Sequence, residues 1–412
     1  MTTDIALTDT EKLAVARLAS QYAELFPWYK QRLVGLAGQI HSLEQLPLID
    51  EATLIDHYYT ASHDQLPGSS AYLTSGTATG ARKKILYAVD DDEAYLAQRR
   101  ELFAGFLRDL PAGAVAVADL GTGHAAASAR RIFQDLQYQA HDIDFSRPIE
   151  EHIEALNRWQ PDVLFTMPMI LDRLTRAEQT LDIRPRKIIV VGDVAPIAWR
   201  REVAARFGID TDDVLDILGS IEIGAIAYHC AETGLYHFHD HILPEVLSLD
   251  VLFPYSHAQP SPAGSGILLL TSLTRRYFPA LRFVTNDVIS GLRVIEWQGR
   301  RTYAFDRIEG RHGGEIKHGE RISSHDLCAA VAQVFPGAPF EVRNDGQLDI
   351  RVVVPQVTAS QQEQVRALLA EAAPDVAQML ASGLVQPITV TAIGLTDLKS
   401  TNAKRRFNLK GV

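Results

Sequence analysis

Hydrophobic positions recur at helical spacing through the first forty residues. Val15, Leu18 and Tyr22 share one face of such a helix, and Pro27 divides the run into two helices. Short apolar runs then alternate with amphipathic segments of about a dozen residues. The runs, which predict strands, are 114–118, 162–166, 187–191 and 213–218. This alternation favours parallel strands with helical connections, so the sequence predicts an α/β fold.

The pattern changes between 236 and 287, where apolar and polar residues alternate and prolines, including Pro244, interrupt the runs. This part is expected to be antiparallel or barrel-like. Four glycines in the ten residues 310–319 predict a hinge. We therefore expect a large domain at 1–309, with mixed parallel sheets, and a small mobile α+β lid domain at 310–412.

Composition narrows the class of protein. The 412 residues are 46% hydrophobic and 22% charged, which is typical of a globular fold, and their length favours at least two domains. The formal net charge of −11 argues against nucleic acid as the main partner. We expect a cytoplasmic protein without a membrane span, because the start has no secretory leader pattern and the two cysteines make no disulfide framework.

The segment 72–84 reads Y-L-T-S-G-T-A-T-G-A-R-K-K, in which hydroxyl groups and glycines precede three basic residues. Hydroxyls, backbone N–H groups beside glycine and positive charge are the groups that bind phosphate. The order differs from a Walker loop, because the basic residues come last and a strand pattern follows. The segment is either a phosphate-binding loop between strands or a flexible surface turn.

A second glycine-rich turn, G-T-G at 121–123, follows the strand predicted at 114–118. Such a turn can hold pyrophosphate at a helix N-terminus, as in dinucleotide-binding folds. That fingerprint opens the first strand–helix unit of a domain, whereas this turn lies in the middle of one. Ordinary packing of a helix on a strand is the favoured interpretation.

Five short motifs resemble, in their order along the chain, those of the AMP-forming adenylating superfamily, and most closely its phenylacetate-CoA ligase-like branch. They are T-S-G-T-A-T-G-A-R-K at 74–83, V-G-D at 191–193, L-G-S-I-E at 218–222, R-F-V-T-N-D at 282–287 and G-R-H-G-G at 310–314. The resemblance covers nearly the whole chain. It implies ATP-dependent activation of a carboxylic acid as an acyl-adenylate, with release of pyrophosphate.

The resemblance also implies roles for individual residues. Glu222 would hold Mg²⁺, Asp287 would accept the ribose hydroxyls, and Arg311 would lie near the ribose. The nucleotide-binding residues that it implies are Thr74, Ser75, Gly76, Thr77, Thr79, Gly80, Lys83, Gly192, Asp193, Leu218, Gly219, Ser220, Asp287 and Arg311. Candidates for the substrate pocket are His124, Met167, Ile223, Gly224 and Ala225, which suit an aryl or other organic acid more than a charged one.

The catalytic lysine of this superfamily lies in a C-terminal Gly-Lys-containing tail. Here the tail reads L-K-S-T-N-A-K-R-R-F-N-L-K, and Lys404 is the favoured candidate, with Ala403 in place of the glycine. A one-step alternative alignment puts Asn402 at the catalytic position. A basic tail without a catalytic role is the third interpretation.

Two departures from the family motifs bear on the reaction. Leu218 replaces the tyrosine that stacks on adenine, and Gly313 and Gly314 replace the hinge aspartates. An aliphatic side chain packs on a base less specifically than an aromatic one. The expected second step is acyl transfer to the thiol of CoA or of an acyl or peptidyl carrier protein. The alternatives are transfer to an amine or other nucleophile, or a non-catalytic nucleotide- or acyl-binding relative.

Histidines and a cysteine cluster after residue 228. Cys230, His237, His239 and His241 are candidate zinc ligands, because a thiolate and neutral imidazoles bind Zn²⁺ and alternation on a strand would put the three histidines on one face. A polar strand face is the favoured interpretation. ATP and Mg²⁺ are the expected cofactors, with CoA and Zn²⁺ as further candidates, and a homodimer is common in the branch.

Overall fold

We describe a computed structural model of the chain. It describes residues 6–33, 40–59, 66, 68–73, 83–120, 124–144, 147–248, 264–311, 316–318, 320–344, 347–381 and 385–399. The helices of this part are α1 (Asp9–Leu25), α2 (Pro27–Arg32), α3 (Glu51–Leu54), α4 (Val89–Phe106), α5 (His124–Asp135), α6 (Ile149–Trp159), α7 (Pro168–Leu174), α8 (Ile197–Phe207), α9 (Ser324–Val334), α10 (Ala359–Ala372) and α11 (Pro374–Ala381). None of these helices has the length and apolar character needed to cross a membrane.

Strands account for much of the remainder of the described chain. They are β1 (Ser70–Leu73), β2 (Lys84–Tyr87), β3 (Val115–Asp119), β4 (Gln139–Ile143), β5 (Val163–Thr166), β6 (Lys187–Val191), β7 (Val214–Ser220), β8 (Gly224–Cys230), β9 (Leu235–Phe238), β10 (Ile242–Leu247), β11 (Gly266–Ser272), β12 (Phe283–Ser290), β13 (Arg293–Trp297), β14 (Arg300–Phe305), β15 (Arg307–Arg311), β16 (Ile316–His318), β17 (Glu320–Ile322), β18 (Phe340–Asn344), β19 (Leu348–Val353) and β20 (Thr389–Ile393). Parallel and antiparallel sheets both occur, which confirms the predicted mixed α/β class.

The chain divides into two compact units, each made of two segments. The first unit comprises Met1–Leu102 and Leu218–Arg307. Within it, β8, β9, β14 and β13 pair antiparallel in that order, and so do β10, β11 and β12. The antiparallel section predicted from 236 to 287 is confirmed. Pro244, expected to interrupt a strand, instead lies within β10, which is paired with β11 and tolerates proline as an outer strand.

The second unit comprises Phe103–Ile217 and Ile308–Val412. Its strands β4, β3, β5, β6 and β7 pair in parallel in that order. Val117, Leu164 and Ile188 on these strands are fully buried and pack in one cluster with Trp199 of α8. The alternation of apolar runs and amphipathic segments therefore predicted the parallel sheet and its helical connections correctly.

The last eighty or so described residues form an α+β arrangement of their own. β18 and β19 are antiparallel and β19 and β20 are parallel, with a buried cluster that includes Leu327, Ile350 and Val365. Pro374 begins a helix of its own after α10, because proline is favoured in the first turn of a helix and not in its interior. The domain division at 309/310 stays a prediction.

Arg275 is a buried charge at the centre of the first unit, with 2% of its surface exposed. Its Nη1 forms an ion pair with the Asp91 carboxylate in the first turn of α4. Nη2 donates a hydrogen bond to the Leu86 carbonyl (2.9 Å), and Nε donates to the Glu222 carbonyl (2.8 Å). The guanidinium also lies on the Tyr87 ring, 3.8 Å from its centroid. One side chain thus ties together α4, β2 and the turn after β7.

The buried carboxylate of Asp91 is equally well satisfied. Besides the ion pair, it accepts hydrogen bonds from the backbone N–H groups of Ala88 (2.9 Å), Arg276 (2.7 Å) and Tyr277 (3.2 Å). A buried ion pair offsets the loss of hydration only when its remaining hydrogen-bonding atoms are satisfied. The remaining hydrogen-bonding atoms of Arg275 and Asp91 are satisfied in this way. Removal of either residue would leave the other as an uncompensated buried charge.

We expect Arg275→Met to lower the free energy of unfolding by about 3–5 kcal/mol, since it leaves the Asp91 carboxylate buried without its counter-charge. Chemical denaturation of the full chain measures this. The neighbouring Arg276 pairs with Asp90, and both side chains are more than half exposed (51% and 59%). Arg276→Met is therefore a matched control with an expected loss below about 1 kcal/mol. Equal losses in the two variants would contradict the interpretation.

Candidate active site

Glu222 lies in the turn between β7 and β8, and its backbone is held from three sides. The Ser220 hydroxyl accepts a hydrogen bond from the N–H of Ile223 (3.2 Å), and the Tyr87 hydroxyl donates to the Ile221 carbonyl (2.7 Å). Arg275 holds the carbonyl of Glu222 itself, as described above. The half-buried Glu222 carboxylate has neither an ion pair nor a hydrogen bond within the described chain. A fixed backbone with an unengaged carboxylate fits a cation ligand.

The negative charge of Glu222 acts on the phenol groups around it. Burial, first of all, raises the pKa of Tyr59, and the charge of Glu222 raises it further. Tyr87 is affected in the same two ways. These phenols therefore stay protonated at neutral pH.

The R-F-V-T-N-D motif forms the start of β12. Asn286 has a φ of +64°, a left-handed conformation that asparagine tolerates better than most residues. The Thr285 hydroxyl donates to the Leu268 carbonyl (2.9 Å) and accepts from the N–H of Asp287 (3.0 Å). The position of Asp287 is thus fixed through its backbone.

The first residue of the same motif has a structural role. Arg282 is buried and forms a two-pronged ion pair with Glu245, with both N–O distances at 3.0 Å. Its Nη1 also donates to the Leu46 carbonyl (2.9 Å). Arg282 therefore anchors β12 to β10 and to the segment before α3.

In the second unit, two residues with different predicted roles are neighbours. Gly192 has a φ of +90°, and a Cβ added there would lie 3.5 Å from the Met167 side chain. Asp193 accepts a hydrogen bond from the N–H of Val194 (2.9 Å). The predicted nucleotide-binding turn at 191–193 thus lies against a predicted pocket residue.

Arg99 of α4 lies on the backbone of the L-G-S-I-E motif. Its Nη2 donates to the Leu218 carbonyl (3.2 Å), and a Cβ added to Gly219 would lie 2.6 Å from that nitrogen. The same added Cβ would lie 2.9 Å from the carbonyl oxygen of Gly224. Gly219 is therefore required by the close approach of backbone and guanidinium, whereas Gly224 is favoured by its φ of +95°.

Part of the predicted phosphate loop lies within the described chain. The ammonium group of Lys83 forms an ion pair with Glu51 and lies 5.1 Å from the centroid of the Tyr59 ring. The other predicted loop residues, together with the candidates for the catalytic lysine position, lie outside the described residues, and so do the side chains of two further candidates. They are Thr74, Ser75, Gly76, Thr77, Thr79, Gly80, Asn402 and Lys404, and the side chains of His124 and Arg311. Their roles stay predictions.

The histidines proposed as zinc ligands do not share one strand. β9 ends at Phe238, so His239 and His241 lie in the connection to β10, with ring centroids 5.8 Å apart. The Nε2 of His237 is hydrogen-bonded to the Thr233 hydroxyl (2.8 Å). In the part of the chain that the structure describes, no group of three or more His, Cys, Asp or Glu side chains is placed to hold a metal ion.

The pKa values of His239 and His241 are lowered, so both imidazoles are neutral at neutral pH. Burial is the main cause that lowers the pKa of His239 well below its usual value and that of His241 to about 4. The positive charge of Arg99 lowers both further. Neutral imidazoles next to a guanidinium leave this neighbourhood positively charged.

Arg275, Asp91, Tyr87 and Arg99 hold or border the motif residues, yet the sequence did not single them out. Both arginines have an arginine as the next residue. In each pair the first is buried and the second exposed, and no local feature of the sequence distinguishes them. Only the packing of α4 and of the segment after β11 does so.

A family model described as the C-terminal domain of fumarate–diaminopropanoate ligase matches residues 317–396. Among curated proteins, the fumarate–(S)-2,3-diaminopropanoate ligase of Enterobacter agglomerans is 43% identical over 384 residues, which cover 93% of this chain and 95% of that protein. The phenylacetate-coenzyme A ligase of Escherichia coli K12 is 27% identical over 214 residues, covering 48% of this chain and 46% of its own length.

Among solved structures, 2-hydroxyisobutyryl-CoA ligase in the postadenylation state with 2-HIB-AMP has a TM-score of 0.71 at 16% identity. That match covers 98% of this chain and 91% of the other, and it shows a common fold. The family itself rests on the 43% identity across nearly the whole chain. The chain thus belongs to the same family as the fumarate–diaminopropanoate ligase, in the phenylacetate-CoA ligase-like branch of the AMP-forming adenylating superfamily, and is an adenylate-forming ligase.

Proposed function

We propose that this protein activates a short dicarboxylic acid of the fumarate type with ATP and joins it to an amino group of an amino acid such as 2,3-diaminopropanoate. The observation that carries the proposal is the 43% identity, across 93% of the chain, to a ligase named for those two substrates. Transfer to the thiol of CoA or of a carrier protein is the second candidate. The match to a CoA ligase favours it less, because that match has 27% identity and covers 48% of the chain.

The proposed reaction has two steps. A carboxylate oxygen of the acid attacks the α-phosphorus of ATP, the bond from that phosphorus to the bridging oxygen breaks, and pyrophosphate leaves. The unprotonated amino group then attacks the acyl carbon, AMP leaves with the electrons of the broken C–O bond, and the nitrogen loses a proton to give the amide. The first step brings two anions together, so charge neutralisation is the main task of the site.

The described residues support the first step at Glu222, whose carboxylate is unengaged within the described chain while its backbone is fixed. Glu222 would hold Mg²⁺, which when bound neutralises part of the phosphate charge. We further propose that Asp287 accepts hydrogen bonds from the ribose hydroxyls and that Leu218 packs on adenine. Lys83 and the loop before it would hold the β- and γ-phosphates, and Lys404 would contact the carboxylate and the α-phosphate.

We expect Glu222→Gln to lower the rate of acid-dependent exchange between pyrophosphate and ATP on the order of 100-fold, as for loss of one group that stabilises transition-state charge. Glutamine keeps the size of the side chain and removes only the charge. Glu232, an exposed residue in the turn after β8, is the matched control, and Glu232→Gln should leave the exchange rate unchanged. An active Glu222→Gln enzyme would remove Glu222 from the proposed site.

We expect the full chain, supplied with ATP, Mg²⁺, fumarate and 2,3-diaminopropanoate, to form a product with the mass of the two substrates minus one water. The acyl carbon of the adenylate is then attacked by nitrogen and not by sulfur. Mass spectrometry of a parallel reaction with CoA in place of the amine is the comparison, and omission of ATP is the blank. A thioester with CoA, and no amide with the amine, would reverse the choice of acceptor.

A further inference from the structure

Arg99 is a second buried arginine of the first unit, but its environment differs from that of Arg275. With 2% of its surface exposed, it is as deeply buried, yet it forms no ion pair with any carboxylate of the described chain. Its Nε and Nη1 are buried without a hydrogen-bond partner among the described residues. The hydrogen bond from Nη2 to the Leu218 carbonyl leaves most of its donors unused.

The groups around Arg99 do not supply the missing negative charge. An imidazole carries no negative charge, protonated or not, and the Nε2 atoms of His239 and His241 are buried without a partner in the described chain. Tyr95, whose ring centroid lies 5.8 Å from the guanidinium, is a neutral hydrogen-bonding neighbour and not a counter-ion. Burial lowers the pKa of Arg99, opposed by Tyr95 and Tyr87, but a guanidinium stays protonated at neutral pH.

A buried guanidinium without a counter-ion is unfavourable by several kcal/mol at least, on the order of the effective cost of removing a single ion from water. Such an arrangement is stable when an anion binds to it. A carboxylate is a strong acceptor of charge-assisted hydrogen bonds from a guanidinium. The N–H groups on Nε and Nη1 of Arg99 have no partner among the described residues, so they are available to such an anion.

The position of Arg99 indicates which carboxylate it takes. It lies against Leu218 and Gly219, which are proposed to bind the nucleotide, and Gly219 in turn lies against Gly224 of the predicted substrate pocket. A dicarboxylic acid that is activated at one end keeps a charged carboxylate at the other. That distal carboxylate must be desolvated when the acid enters the pocket, and it requires a buried cation.

We propose that Arg99 binds the distal carboxylate of the acid substrate and thereby selects dicarboxylic acids over monocarboxylic acids. This inference rests on the proposed function and adds the residue that decides acid specificity. It replaces the expected aryl-type pocket by one with a positive charge at its end. Arg99 acts as a specificity-determining residue, and the carboxylate that reacts is not the one it holds.

The test measures kcat/KM for pyrophosphate exchange with fumarate and with crotonate, in which a methyl group replaces the distal carboxylate. No amine is present, so the reaction reports on the acid alone. We expect the wild type to prefer fumarate on the order of 100-fold, because truncation of one partner of a buried charge pair has about that effect. Arg99→Met should lose this preference through a fall in kcat/KM for fumarate, with crotonate little changed.

Two further variants separate specificity from folding. Arg99→Lys keeps a charge and should retain part of the preference, whereas the exposed Arg100 on the same helix is the matched control. Arg100→Met is expected to leave both rate constants within about twofold. Thermal unfolding of each variant shows whether it is folded, and the ratio of the two kcat/KM values within one variant does not depend on the fraction folded.

The outcomes are distinct. Equal losses for fumarate and crotonate in Arg99→Met, or an unchanged preference, would overturn the role of Arg99 and leave the proposed function intact. A loss that occurs only in amide formation, with exchange unaffected, would assign Arg99 to the carboxylate of the amino acid and also overturn the inference. A wild type that activates no dicarboxylic acid would overturn both proposals.

Discussion

The ion pair between Arg275 and Asp91 is the interaction on which the first unit depends. Two formal charges are placed where water does not reach, and each is satisfied by further hydrogen bonds to backbone atoms. The guanidinium holds carbonyl groups of β2 and of the turn that carries Glu222, and Asp91 belongs to α4, so the pair fixes the relative positions of these elements. The backbone of Glu222 is thereby held, while its carboxylate has no partner in the described chain; this is the arrangement that the proposed Mg²⁺ ligand requires.

Arg275 and Arg99 are both buried in the first unit, but they differ in how many of their hydrogen-bond donors have a partner. This difference distinguishes a structural arginine from one available to a ligand. Arg275 uses its Nε and both terminal nitrogens on protein groups, and it therefore has no capacity for a ligand. Arg99 uses one nitrogen on a carbonyl and has unused donors within the described chain. A buried charge without a counter-ion among the described residues is the feature that points to an anionic substrate.

Much of the fold could be predicted from short stretches of the sequence. The run Lys187–Val191 was predicted with the bounds that β6 has. Asp50 precedes α3, and its carboxylate accepts the N–H of Thr53 at 2.9 Å, which is a local helix-start signal. Signals of this kind act within four or five residues, so they can be read from the chain directly. The prediction that Pro244 interrupts a strand was wrong, because an outer strand tolerates proline and the position of a strand in its sheet depends on its partners.

Part of the candidate site could likewise be predicted from the sequence, and part could not. The order of the motifs alone indicated the family. It also singled out Glu222, Asp287 and the glycines of the motifs as candidates, because these residues lie in short segments whose residue types and spacing are characteristic. Sequence could not decide which arginine of each adjacent pair is buried, or that His239 and His241 leave the strand after Phe238. Those facts depend on contacts between segments more than a hundred residues apart, such as Arg99 with Leu218 and Arg275 with Asp91. The sequence by itself thus determined the elements and indicated the chemistry of adenylation. Tertiary packing alone decided which arginine is buried without a counter-ion in the described chain, because burial is a property of the assembled fold and not of any single residue.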